Sequence, residues 1–253
     1  MRQDERAAFE EALRGAREAA WRPGEYVEQE SFMRAGEILA LARRAGIGPG
    51  VDVLDVCCGV AGPGRFVTRE LGCSYVGVDA SASAVAIARG RAHGLPCRFE
   101  VGEVPPFPSG TFDVVLLLET MLAFRDKQTL ADAVACSLRR GGRFAFTLEE
   151  GLPLTEAERA QMPDADTVWL TPLGELQTTL EATGLAVGRP EDLSSSHREM
   201  ADRLADAFEA DADAIASRVG RRAVDDLVAG HRLWSGWLAT GRVRKLALVA
   251  ERV

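Results

Sequence analysis

The sequence predicts an α/β fold, a doubly wound sheet with helices on both faces. Three observations carry this. Short apolar runs alternate with helix-patterned stretches from residue 51 to residue 188. The first run, Val51–Val56, breaks into a loop of small residues, Cys57, Cys58, Gly59, Val60, Ala61 and Gly62, and a helix opens directly behind it. The run Phe112–Leu118 is almost wholly apolar, as a strand buried on both faces must be. The strand, turn and helix start suit a nucleotide. Small residues let a ligand approach the backbone, and the helix N-terminus offers free N–H groups at its positive dipole end.

The elements follow in order. Residues 3–20 predict an amphipathic helix, stopped by Pro23-Gly24 in WRPGEY. A second helix is expected from Val27 to Ala45, with Phe32, Met33, Ile38, Leu39 and Leu41 toward the core and Gly46 as its stop. After strand one come helix 63–71, strand Ser74–Val78 closed by Asp79, helix Ser81–His93 and strand Cys97–Val101. The turn-rich GEVPPFPSGT leads to the fourth strand. Helix Lys127–Leu138, strand Arg143–Leu148, helix Pro172–Thr183 and a short strand near 185–188 complete the alternation. Residues 194–240 read as helices, and only then does a last β-type run, Arg244–Val253, appear. The expected organisation is one domain over 1–253: an N-terminal helical lid (1–47), a cofactor-binding core (48–193), a helical insertion covering substrate (194–240) and the last strand (241–253). The acidic stretch 206–213 reads as a solvated helix face.

Composition narrows the function. Of 253 residues, 47% are hydrophobic and 27% charged, which supports a sizeable core. The net charge of −8 and the absence of a basic stripe argue against a nucleic-acid partner. No apolar run is long enough for a membrane span, and the charged N-terminal stretch has no signal-peptide core. The five cysteines, Cys57, Cys58, Cys73, Cys97 and Cys136, show no metal-ligand spacing. They read as small hydrophobes in a reducing, cytoplasmic compartment, and no metal is expected.

Three features sharpen the loop reading. Asp55 lies four residues before Gly59, at the strand end. Asp79 closes strand two, where a carboxylate can accept hydrogen bonds from ribose hydroxyls. Gly102-Glu103-Val104 follow strand three, beside the expected adenine pocket. At this point VLDVCCGVAG resembles motif I of the class I S-adenosylmethionine-dependent methyltransferases, and YVGVDAS resembles motif II. GEVPPFPSGTFDVVLLLET and LRRGGRFAFT are similar to their later motifs. The resemblance covers roughly residues 30–190 and implies a Rossmann-like sheet, mostly parallel with an antiparallel last strand. The family loop is D-x-G-x-G-x-G; here Cys57 and Ala61 replace its first and third glycines, and both would be strained if the loop needs a positive φ.

The resemblance implies S-adenosyl-L-methionine as cofactor and S-adenosyl-L-homocysteine as its product. It places Cys57, Gly59 and Ala61 against the methionine part, with Asp55 orienting loop amides or touching ligand. Asp79 would bind the ribose, with Ala80 or Ser81 beside the adenine, and Glu103 and Val104 would flank the adenine. Glu119, Thr120 and Met121 would line the sulfonium and the substrate mouth, and Tyr26 and Gln29 resemble lid residues at the carboxylate end. Methyl transfer is a direct displacement, aided by a base where the nucleophile carries a proton. The candidates are His197 in SSSHRE, His231 in HRLWSGW, and Glu149 or Glu150 at the end of strand five.

A small-molecule substrate is expected by exclusion, since LLLETMLAF after strand four lacks the asparagine-proline-type signature of base or glutamine methylation. The layout resembles the branch of sarcosine/dimethylglycine, quinone-precursor and natural-product methyltransferases. It leaves O-, N- or C-methylation open, and a monomer or homodimer. Two alternatives stand beside it. One is a cofactor-retaining relative that does not methylate, such as a cyclase. The other is a nicotinamide-dependent oxidoreductase, which would want a complete GxGxxG.

Overall fold

The computed structural model describes residues 3–163 and 165–253, with side chains from residue 11 onward. Five parallel strands form one side of the sheet: β1 (Asp52–Val56), β2 (Ser74–Asp79), β3 (Cys97–Val101), β4 (Phe112–Leu117) and β5 (Leu138–Glu150). β6 (Leu185–Val187), β7 (Glu191–Asp192) and β8 (Arg244–Arg252) complete it, and β8 runs antiparallel to β5, β6 and β7. The order is β3-β2-β1-β4-β5-β8-β6, with β7 also on β8. The antiparallel last strand is therefore as expected. Crossovers to both sides of β1 account for the reversal of order between β1 and β4.

Helices α3 (Gly62–Leu71) and α4 (Ala82–Arg91) follow β1 and β2, α5 (Lys127–Ser137) precedes β5, and α7 (Leu173–Ala182) precedes β6. One apolar layer centres on Leu54, Val115, Leu117, Phe144 and Phe146, the other on Val53, Val67, Tyr75, Val114 and Leu116. Successive residues of β1 and β4 thus feed opposite faces, as the period-2 pleat requires. A short helix α6 (Glu156–Gln161) is held by Thr155 as its N-cap.

The helical additions form a separate cluster. α1 (Gln3–Ala20) packs on α8 (Ser194–Ala210), α9 (Ala212–Val219) and α10 (Arg221–Thr240). Leu13, Ala16 and Trp21 meet Met200, Leu204, Phe208 and Val224 there. The N-terminal helix and the insertion, 170 residues apart in sequence, bury each other's apolar stripes.

β5 begins earlier than expected, α6 and β7 are additions, and one of the two leading helices is shorter. The second helix, α2, spans only Ala35–Arg44; residues 21–34 form a loop. Gln29 holds this loop open. Its Oε1 accepts from Val27 N (2.6 Å), and its Nε2 donates to Glu25 O (3.0 Å) and Met33 O (2.9 Å). Glu28 sits at φ 61°, which no helix allows. The helix then starts where Glu37 accepts from Arg34 N at 2.8 Å.

Candidate active site

The strand ends that share the C-terminal edge of the parallel sheet carry Val56, Asp79, Leu117 and Glu150, and β8 begins at the same edge. In doubly wound sheets ligands bind at this edge, where the strand order reverses. Two adjoining cavities open there. The first, about 270 Å³, is walled by the 57–62 loop, Asp55, Asp79, the Glu28–Ser31 stretch and Leu118–Thr120. The second, about 450 Å³ and mainly apolar, lies under α10. Glu30, Ser31 and Glu119 line both, so the two meet at those side chains.

Strain concentrates at the first cavity. Among the described residues, four non-glycine positions have φ in the left-handed region: Glu28 (61°), Cys57 (61°), Ala61 (56°) and Glu119 (63°). All four line this cavity. Each costs on the order of 1 kcal/mol, so the surrounding packing must impose them, a pattern typical of ligand sites. Cys57 and Ala61 therefore do adopt the conformation for which the resembling loop uses glycine. Gly62 is needed for another reason: a Cβ there would lie 2.2 Å from Val27 O and 2.5 Å from Glu28 O. The Val27–Glu28 backbone is seated directly on the start of α3, and the Glu28 carboxylate ion-pairs with Arg65 and, at 3.3 Å, with Arg91.

Asp79 accepts from Gly59 N at 2.9 Å through Oδ2 and from Ser81 N at 2.8 Å through Oδ1. It holds the loop in place, and each oxygen keeps a further lone pair for a hydroxyl. Asp55 takes no loop amide; it accepts from Tyr75 Oη at 2.5 Å. Burial, chiefly, pushes its pKa up to about 7, the Tyr75 bond opposing and the Asp79 charge adding. Burial likewise pushes the Cys57 thiol up to about 12 and the Cys58 thiol higher still, so neither is a nucleophile near neutral pH. The Thr120 hydroxyl at the cavity wall is buried without a hydrogen-bond partner. An orphaned hydroxyl beside a carboxylate-held loop and an open face at Gly59, where an added Cβ would meet nothing, fit a bound nucleoside with a polar tail.

Most of the remaining residues predicted for the cofactor sit outside this cavity. Tyr26 stacks on Trp21 at 6.2 Å and lines a small cleft with Arg14 and Arg91 that meets the first cavity at Glu28 and Val60. Met121 is fully buried in the sheet core, because a 3₁₀ turn at Met121–Ala123 rolls it under β4. Ser81 caps α4 by accepting from Ala84 N at 3.2 Å. Ala80 and Glu103 are exposed, and Val104 packs on the edge of the core; none of the three lines the cavity. Gln29 does line it, while serving mainly as the brace of its loop.

The second cavity gathers the candidate bases. His197, Glu149 and His231 all line it, whereas Glu150 turns outward to Arg244 Nε at 2.8 Å. Antiparallel register explains the split. Glu149 faces Lys245 and Glu150 faces Arg244, so the first pair points inward and the second outward. Lys245 is fully buried and ion-paired to Glu149 and, at 2.6 Å, to Glu119. Burial alone would lower its pKa; the two carboxylates overcome that and leave it raised. Lys245 is the residue the sequence reading missed. Its signal was a lysine at the head of the apolar run RKLALVAERV.

His197, on the first turn of α8, has no exposed surface. Glu37 Oε2 lies 3.7 Å from its Nε2 and Glu119 Oε2 3.8 Å from its Nδ1, yet neither nitrogen makes a hydrogen bond. Burial, then the Lys245 charge, hold its pKa well below the usual imidazole value, so it is neutral. His231 sits edge-on to Phe32 (5.5 Å) and Phe208 (5.3 Å), with Nδ1 2.7 Å from Leu227 O. Lys127 locks the neighbouring turn by donating to the carbonyls of Met121, Phe124 and Trp169. No group of three or more acidic, His or Cys side chains could hold a metal among the described residues.

Comparison with known proteins agrees with this geometry. Residues 53–142 match the family described as methyltransferase domain. Phosphoethanolamine N-methyltransferase 1 of Zea mays is 26% identical over 211 residues, which are 76% of this chain and 42% of that one. The chain thus spans less than half the length of this relative. Among solved structures, the cyclopropane synthase MmaA2 from Mycobacterium tuberculosis superposes with a TM-score of 0.82 at 13% identity, over 96% of this chain and 93% of that one. The [4+2]-cyclase SpnF gives 0.74 at 21% identity, over 96% and 92%. Residues 53–142 are thus similar to a methyltransferase domain, and the chain shares the fold of these solved structures.

Proposed function

We propose that this chain transfers a methyl group from S-adenosyl-L-methionine to a small molecule held under α10. The carrying observation is the junction at Glu119. It joins a loop cavity of nucleoside character to a larger, mainly apolar cavity that holds His197 and Glu149. The cofactor, when bound, supplies an electrophilic methyl carbon on a sulfonium. The chain's residues do the rest. Asp79 binds the ribose hydroxyls while fixing the Gly59 amide, and Thr120 supplies a hydroxyl at the inner wall.

Glu119 places negative charge at the junction, where a cation suits it. Lys245 shares that charge, which keeps the carboxylate from over-stabilising a cation that must be discharged. Where the nucleophile carries a proton, Glu149 Oε2 and the neutral His197 ring are the acceptors facing it. α8, through His197, and α10, through Leu227, Trp234 and Leu238, wall the larger cavity and keep bulk water from it.

Calorimetry tests the first half: S-adenosyl-L-homocysteine should bind the purified chain, and Asp79→Ala should weaken it at least tenfold. Transfer of isotopic label from the methyl donor to a panel of small molecules tests the second. No binding of donor or product, or an Asp79→Ala variant that binds as well, overturns the reading.

A further inference from the structure

We propose that the substrate is an apolar molecule bearing a hydrogen-bond donor, a hydroxyl or an amine, and no anionic group. The inference rests on the methyl-transfer reading and names the substrate class of that same site. It begins with the charge of the larger cavity. Two nearly enclosed carboxylates line it, Glu119 and Glu149, together with the exposed Glu30 and an exposed Asp226 that ion-pairs with Arg222 at 3.7 Å, against one ammonium, Lys245. No arginine lines it among the described residues. The ammonium is already committed to Glu119 and Glu149. A phosphate or carboxylate entering here would leave water, meet like charge and find no free cation. A phosphomonoester of the kind named for the maize relative therefore has no seat in this cavity.

The donor requirement comes from a second observation. Glu149 Oε2 is buried and has no hydrogen-bond partner, although Oε1 holds Lys245. An unpaired buried carboxylate oxygen is costly, and a ligand N–H or O–H satisfies it. The two His197 ring nitrogens, also unpartnered, stand in the same wall. The rest is apolar. α10 presents Leu227, Trp234 and Leu238, and Leu122, Met162 and Val168 add to the apolar lining. A body without charge fits them, with its donor at the Glu149 end next to the Glu119 junction.

The test uses the chain saturated with S-adenosyl-L-homocysteine and four matched probes: 2-naphthylmethylamine, 2-naphthalenemethanol, 2-methylnaphthalene and 2-naphthoate. Binding is read by equilibrium dialysis. The amine and the alcohol should each bind at least tenfold tighter than the hydrocarbon, and the naphthoate weakest. The order of the first two tells which donor is preferred. Glu149→Gln should cut the amine's advantage at least fivefold. Gly230→Leu fills the cavity from an α10 position where an added Cβ meets nothing, and should abolish binding of every probe. Naphthoate binding as tightly as the amine, hydrocarbon matching both donors, or binding untouched by Gly230→Leu overturns the proposal. Loss of the homocysteine product's own binding overturns the methyl-transfer reading instead, and calorimetry on the same sample separates the two.

Discussion

Replacing Lys245 by Met isolates what the buried ion cluster does. Lys245 is 2% exposed and neutralises Glu119 and Glu149, themselves nearly enclosed. Methionine keeps the length and apolar stem of the side chain but removes the charge. Two carboxylates then face each other in a low-dielectric wall with no cation between them. Breaking a buried pair in this way costs about 3–5 kcal/mol. For a chain of this size that lowers the melting temperature by about 6–20 °C.

The pH dependence gives the reasoning a signature. In the variant two like charges are enclosed without a counter-ion, and lowering the pH, which removes carboxylate charge, should shrink the deficit. The wild-type lysine behaves oppositely at the other end. Its raised pKa contributes stability that is complete below the unfolded value and lost as pH rises through the folded one. Thermal and urea denaturation of both proteins at pH 5, 6, 7 and 8 reads the carboxylate end, and a second series above about pH 10 reads the lysine end. Adding Glu149→Gln to the variant should recover part of the loss. A deficit under about 1 kcal/mol, or one that does not change with pH, would refute the account.

Further predictions follow the same logic. Asp55 holds its proton up to about pH 7 when folded but only to about pH 4 when unfolded, so it makes stability fall as pH rises through that window. Asp55→Asn should remove the slope, and parallel urea midpoints for variant and wild type would contradict this. Gly62→Ala, whose Cβ would sit 2.2 Å from Val27 O, should unseat the Glu28 loop and weaken S-adenosyl-L-homocysteine binding at least tenfold by calorimetry. Ala61→Gly relieves a left-handed backbone and should stabilise by up to about 1 kcal/mol, read from the denaturation midpoint. Alkylation of the native protein at pH 7.5 should modify the exposed Cys136 and spare Cys57 and Cys58, as peptide mass mapping would show.

Much of the fold was legible because local pattern determines it. The apolar run of β4, the small-residue loop after β1 and the carboxylate closing β2 each have a short-range cause, and all stand where they were expected. The boundary of α2 was not legible. Val27–Arg34 holds no proline or glycine to stop a helix, but the side chain of Gln29 and the seat on Gly62 outweigh that propensity. His197 could be named as a base candidate; that it would be buried, neutral and set between Glu37 and Glu119 could not.

The sequence by itself determined the alternation of strand and helix, the loop that a nucleoside can approach, and the acid at the end of β2. Those depend on periodicity and backbone freedom within some thirty residues. The tertiary structure alone decided that Lys245 meets Glu149 and Glu119, and that α1 closes on α8 and α10. Such pairings join residues more than ninety positions apart. They are set by strand register and by which apolar stripes bury each other, and no local pattern encodes either.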